Sequence, residues 1–247
     1  MKLTNWRYTL LLLLCLVAGM VDVIGFLELG HVFTANMTGN IVLLGMAIGQ
    51  SQELAVLRAG TALMGFIGGN ILGAALLGES EGSRPKGWPP KVTRLLGVEV
   101  LLLLAFTLWH WLGEPTPAQL YGLIVLLSCA MGLQTSAGRS LGIAGISTTV
   151  LTNNLTHTVE DGITYVRRLR QRRRDRTAPL ARWGRDTLLR LAALVTYLLG
   201  AIAAALAINF GLYLLLWLPV VLVGSITLLA WLLLHPGPDD NASEALR

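Results

Sequence analysis

A chain of 247 residues that is 54% hydrophobic and only 13% charged excludes an ordinary soluble domain, in which about 25% of residues are charged. Its net charge of +5 does not point to nucleic acid, because Lys and Arg gather in a few stretches between apolar runs, which is the pattern of membrane topology. Cys15 and Cys129 both fall inside apolar runs and read as small buried hydrophobes rather than as a disulfide or metal ligands.

Six stretches are long and apolar enough to span a bilayer, at roughly 7–27, 56–78, 94–112, 118–138, 187–208 and 211–234; a crossing helix needs about 20 apolar residues. The first runs past Ala18 without a small-residue cleavage site and meets Asp22, so it reads as a span and not a signal peptide. An unpaired charge at such a depth costs about 2.5–3.5 kcal/mol on insertion scales. Asp22 is therefore expected either to tie helices together through hydrogen bonds or to carry a coupling proton or Na⁺. Glu28 and His31 follow near the end of this span.

The next segment, 31–50, opens HVFTANMTGN. Thr34, Asn36 and Thr38 are all good helix N-caps, so an irregular entry followed by a short helix is expected. The 56–78 span carries Gly65, Gly69 and Gly73 at every fourth position, a stripe that lets helix backbones approach closely in lipid. A Pro- and Gly-rich connection, 79–94, leads to the third span. There Glu99 is placed about one turn in, where it could snorkel to the interface, and Trp109 and Trp111 read as interfacial anchors. The fourth span closes at Arg139. Segment 141–166 repeats the earlier form, with GIAGISTT read as irregular and LTNNLTHTVEDGITYVRRL as a helix. A very basic loop, 167–186, includes Arg167, Arg168, Arg170, Arg172, Arg173 and Arg174. Two further spans and a polar tail, 235–247, complete the chain.

The halves resemble one another, about 7–112 against about 118–234. AGMVD around Gly19 matches AMGLQT around Gly132, and ANMTGN matches VLTNNL, aligning Thr38 with Thr152 and Asn40 with Asn154. The glycine stripe matches Thr196, Gly200 and Ala204. If both short segments dip in and return, the chain crosses six times. The N-terminus, the 79–94 connection, the Arg-rich loop and the tail are then all cytoplasmic, as the positive-inside rule prefers; eight crossings would push Arg84, Lys86, Lys91 and Arg94 outside. Three spans per half also imply an inverted repeat, the usual transporter plan.

Two helix N-termini inside a bilayer present unpaired N–H groups and partial positive charge. The expected site is therefore one for a small polar or anionic solute, lined by Asn36, Thr38, Asn40, Gln134, Thr152, Asn153 and Asn154, with Asp22 as the ion-coupling group. The alternative is that these side chains only satisfy backbone groups where helices break. His157, Glu160 and Asp161 lie close on one helix, but HTVED lacks metal-ligand spacing. No metal, no cofactor and no enzymatic activity are expected. The basic run points to anionic lipid headgroups, at about 1 kcal/mol per side chain near the surface, and gives a second reading: a non-transporting protein that binds lipid or a partner. Solute identity and oligomeric state, including a homo-oligomer, stay open.

The order AGMVDVIGFLELGHVFTANMTGN, a Gly-rich span, then MGLQTSAGR and TTVLTNNLT resembles the YoaK-like family of bacterial inner-membrane proteins, defined as a domain of unknown function. The likeness covers nearly the whole chain, and Asp22 with the Asn36–Asn40 motif is its most specific part. It implies one integral domain, 1–247, in a bacterial plasma membrane. The fold expectation is thus an all-α polytopic bundle of two similar halves, each with three spans and one short broken or re-entrant helix.

Overall fold

The computed structural model describes residues 3–78, 88–113, 115–141, 151–175 and 183–234. These form eight α-helices with no strand among the described residues: α1 (Leu3–Glu28), α2 (Met37–Gly49), α3 (Glu53–Leu77), α4 (Pro90–Trp111), α5 (Pro117–Ser140), α6 (Leu151–Arg174), α7 (Arg185–Asn209) and α8 (Leu218–Leu234). Local chemistry sets several ends. Pro90 and Pro117 start α4 and α5, where a missing N–H costs nothing. Thr116 and Gln119 close a capping box on α5. The chain leaves α1 through two successive left-handed residues, Gly30 (φ 79°) and His31 (φ 65°); the first is an easy conformation for glycine, the second an uncommon one for a side chain.

Among the described residues six helical segments are long and apolar enough to cross a membrane, and they match the six stretches expected to do so. The last begins as a 3₁₀ turn at Tyr213–Trp217 before α8, because Pro219 cannot donate within a helix and suits only its first turn. α2 has 13 residues, or about 20 Å of helix, too short for a hydrocarbon core of about 30 Å.

Two expectations need correction. The basic stretch reads in sequence as a loop from 167, whereas Arg167 to Arg174 form the last two turns of α6; arginine is a good helix former, and a helix C-terminus favours cations. Glu99 is at a depth from which it could snorkel, but it is fully buried. It stands in the stripe Val92, Leu95, Leu96, Leu103 and Phe106 that α4 turns inward, so its side chain cannot reach water by bending along the helix. The expected irregular stretch GIAGISTT and most of the 79–94 connection lie outside the described residues.

α1 and α5 are the most deeply buried helices. α7 packs along α1, and α3 packs along α5. Both contacts are made at glycines. A methyl group on Gly19 would lie 2.1 Å from the Tyr197 carbonyl oxygen, and one on Gly200 2.0 Å from that of Leu16. In the other pair, one on Gly69 would lie 2.1 Å from the Cys129 oxygen, and one on Gly132 2.3 Å from that of Phe66. α4 and α8 pack on each other and on α5 and α1 respectively. The rest of the surface of α3, α7 and α8 is rich in exposed Leu, Ile and Val, the face expected toward lipid.

Candidate functional site

The site begins with the break between α1 and α2. An unpaired backbone N–H in lipid costs several kcal/mol, so the irregular residues 32–36 need partners, and Asp22 supplies them. Its Oδ1 accepts from the N–H groups of Thr34 (2.8 Å), Ala35 (2.6 Å) and Asn36 (3.2 Å). Its Oδ2 accepts from the Tyr197 hydroxyl on α7 at 2.5 Å. The Thr34 hydroxyl donates to the Val21 carbonyl at 3.2 Å. Asn40 does the same from α2: it accepts from the Phe33 N–H at 2.9 Å and donates to the Phe33 carbonyl at 2.6 Å. Asn36 caps α2 by accepting from the Gly39 N–H at 3.2 Å. The break is thus a built loop, held at one end by a carboxylate and at the other by an amide.

Beside it lies a cavity of about 930 Å³, lined by Asn36, Met37 and Thr38 from the start of α2, and by Leu151, Thr152 and Asn153 from the first described turn of α6. Phe66, Asn70, Thr135, Arg139 and Tyr197 complete its polar and aromatic wall, and no lining residue is acidic. Asn70 is itself fixed, donating to the Phe66 carbonyl (3.0 Å) and accepting from the Ser136 hydroxyl (3.2 Å).

Of the residues expected at the site, Asn36, Thr38, Thr152 and Asn153 line this cavity. Asn40, Gln134 and Asn154 are fully buried and lie outside the lining. Gln134 instead donates to the Leu14 carbonyl at 3.0 Å, tying α5 to α1. Asp22 is 2% exposed and lies outside the lining, which it meets through the backbone N–H groups of Ala35 and Asn36 and the Tyr197 hydroxyl. The Arg side chains in the last two turns of α6 lie roughly 24–35 Å along the helix axis from its first described residue, and all but the half-buried Arg172 are exposed. Tyr197, Asn70 and Phe66 were not anticipated. Tyr197 was legible in principle, since a buried carboxylate demands donors and a tyrosine is one of few side chains that can offer one from an apolar span.

The acidic residues of α6 turn elsewhere. His157 Nδ1 lies 3.2 Å from Glu160. Asp161 accepts from the Thr187 hydroxyl (2.6 Å) and pairs with Arg190 (3.0 Å), docking α6 on α7. Among the described residues no group of three His, Cys, Asp or Glu side chains comes together that could hold a metal ion.

Comparison with known proteins agrees with the resemblance read from the motifs. Residues 10–229 match the family described as "Protein of unknown function (DUF1275)". The chain is 45% identical over 230 residues to the "UPF0700 transmembrane protein YoaK" of Bacillus subtilis (strain 168), covering 93% of this chain and 96% of that one. No solved structure matches. A break motif pinned among six helices apolar enough to cross a membrane, with family likeness over residues 10–229, leads to one conclusion: the chain belongs to the YoaK-like DUF1275 family of multi-pass transmembrane proteins.

Proposed function

We propose that this protein is a membrane transporter or channel for a small polar or anionic solute, and not an enzyme, with its site in the cavity between α2 and α6. The observation that carries this reading is the lining: the start of α2, the first described turn of α6 and Arg139 face one cavity with no acidic side chain in its lining. Helix starts offer N–H groups and partial positive charge, and a guanidinium adds planar donors suited to an oxyanion.

The packing supports an inverted repeat. The α1–α7 and α5–α3 crossings are reciprocal, and Gly19 with Gly200 stands to one as Gly132 with Gly69 stands to the other. In such plans solute sites lie near the midplane between the repeats. The orientation we propose has the N-terminus, Arg139 and the Arg-rich end of α6 cytoplasmic, in a bacterial plasma membrane.

Arg139 and Thr38 are better probes than Asn36, because removing the Asn36 cap costs about 1 kcal/mol of stability by itself. Purified protein is expected to gain thermal stability with chloride, phosphate or acetate. Arg139→Gln is expected to weaken that gain at least tenfold in apparent affinity, about 1.4 kcal/mol, and Thr38→Val less, with the ligand-free melt unchanged. Equal stabilisation of wild type and Arg139→Gln by every anion would remove this site from the cavity.

One observation favours a second reading, a protein that binds anionic lipid without transport. α6 is amphipathic: Leu155, Val159, Ile163, Val166 and Leu169 form an exposed apolar stripe beside the arginines, the pattern of an interfacial helix. Neutralising Arg172, Arg173 and Arg174 together is expected to lower affinity for anionic vesicles by about 1 kcal/mol per side chain, while leaving solute binding in place. Loss of both activities together would favour the lipid reading over the transporter.

A further inference from the structure

Among the described residues two carboxyl groups are fully buried, Asp22 and Glu99, and the site above does not use the second. It is the tenth of the 22 residues of α4, so it lies about 13 Å along a helix of about 33 Å, close to its middle. It is fully buried, and neither carboxyl oxygen has a hydrogen-bond partner among the described residues. Asp22 differs in this respect, since each of its oxygens is satisfied.

Among the described residues, nothing on the helices packed against α4 compensates a charge there. α8 carries no titratable side chain, and the 3₁₀ turn carries only Tyr213. α5 carries Tyr121, Cys129 and Arg139, and α3 carries Glu53 and Arg58 in its first two turns; none bonds to Glu99. On α4 itself Lys91 and Arg94 are exposed, and His110 lies 3.9 Å from Glu28. An isolated buried carboxylate is so costly that the group neutralises instead. A metal cation is a poor neutraliser, for a hard cation needs several oxygen ligands and among the described residues no cluster of metal-ligating side chains surrounds this position. A proton needs none.

We propose that Glu99 is a proton-binding site in the middle of the membrane, neutral in this conformation and able to release its proton only when the packing of α4 opens to water. In the stripe that α4 presents to its neighbours, a leucine would serve packing alone; a carboxylic acid adds a group whose charge is set by conformation. If the protein is a coupled transporter, Glu99 and not Asp22 is the coupling group. That consequence rests on the transport reading, whereas proton binding does not.

The test uses the full chain in lipid vesicles, treated with a hydrophobic carbodiimide over a range from mildly acid to alkaline pH and mapped by peptide mass spectrometry. The reagent takes up the carboxyl proton while the carboxyl oxygen adds to its central carbon, so it labels neutral acids within an apolar phase. Labelling is expected at Glu99, not at the exposed Glu53, and is expected to decline toward alkaline pH and vanish in Glu99→Gln. In parallel, the wild-type melting temperature should fall as pH rises, because ionisation must then be accommodated in an apolar site, and the fall should be smaller in Glu99→Gln. Absence of label at Glu99 at every pH, or pH profiles of melting that coincide for the two proteins, would overturn the proposal. No solute enters either measurement, so a failure here leaves the anion-binding experiment standing, and the reverse holds equally.

Discussion

Asp22→Ala is expected to destabilise the protein by roughly 3 kcal/mol or more, the scale for leaving several buried hydrogen-bond donors without an acceptor. The change strips three backbone N–H groups and the Tyr197 hydroxyl of their acceptor at once. Each buried group left unsatisfied costs about 1–3 kcal/mol, offset in part where water can enter. Asp22→Asn should cost less, since the amide oxygen still accepts from the loop while the Tyr197 hydroxyl can turn to accept from the amide nitrogen. Tyr197→Phe should cost about 1 kcal/mol, one hydrogen bond's net contribution. Thermal melts in detergent, with a double-mutant cycle between Asp22 and Tyr197, measure all of these; a cycle showing no coupling would contradict the bond across α1 and α7. The ranking also separates two roles. A clamp predicts that anion affinity in Asp22→Asn follows loop stability, whereas a coupling group predicts unchanged stability with altered pH dependence of transport.

The second large effect is steric. Gly200→Ala and Gly69→Ala should each cost about 3 kcal/mol, the upper part of the range for overpacking, and valine at either position should prevent folding. At both sites the nearest atom is a backbone carbonyl oxygen, 2.0 and 2.1 Å from the added carbon, and a backbone cannot turn aside as a side chain does. The helices would have to separate by about an ångström, losing dispersion contacts along the whole crossing. Gly19→Ala and Gly132→Ala should cost about as much, because they face the same two crossings from the other side. Gly97 and Gly224 are the controls: a methyl group there meets nothing within 4 Å, and alanine should be neutral or stabilising by about 0.5–1 kcal/mol. Folded yield and melting temperature in detergent decide the matter. Tolerance of alanine at Gly69 and Gly200 would mean that the helices do not cross this closely.

Close packing at the glycines links the two effects to the proposed site. Gly19 lies one turn before Asp22, and Tyr197 one turn before Gly200, so the approach of α1 to α7 is what lets the tyrosine reach the carboxylate. A separation of an ångström there stretches a 2.5 Å hydrogen bond toward one too weak to hold the loop.

Amino-acid order alone determined the membrane class, the six stretches apolar enough to cross, the short helix that starts within HVFTANMTGN and the small-residue stripe, because these depend on composition and spacing within single segments. It also brought out Asp22, since a charge in an apolar span requires a partner whatever the fold. Partners themselves belong to tertiary structure. Only packing decided that Asp22 is met by residues 34–36 and Tyr197, and that Asn40 and Gln134 hold backbone groups while Thr38 and Arg139 face the cavity. Glu99 shows the limit most clearly. Its distance from the helix start reads as well as a snorkelling position as a buried one, and the difference is the direction in which α4 turns its apolar stripe, which the neighbouring helices set.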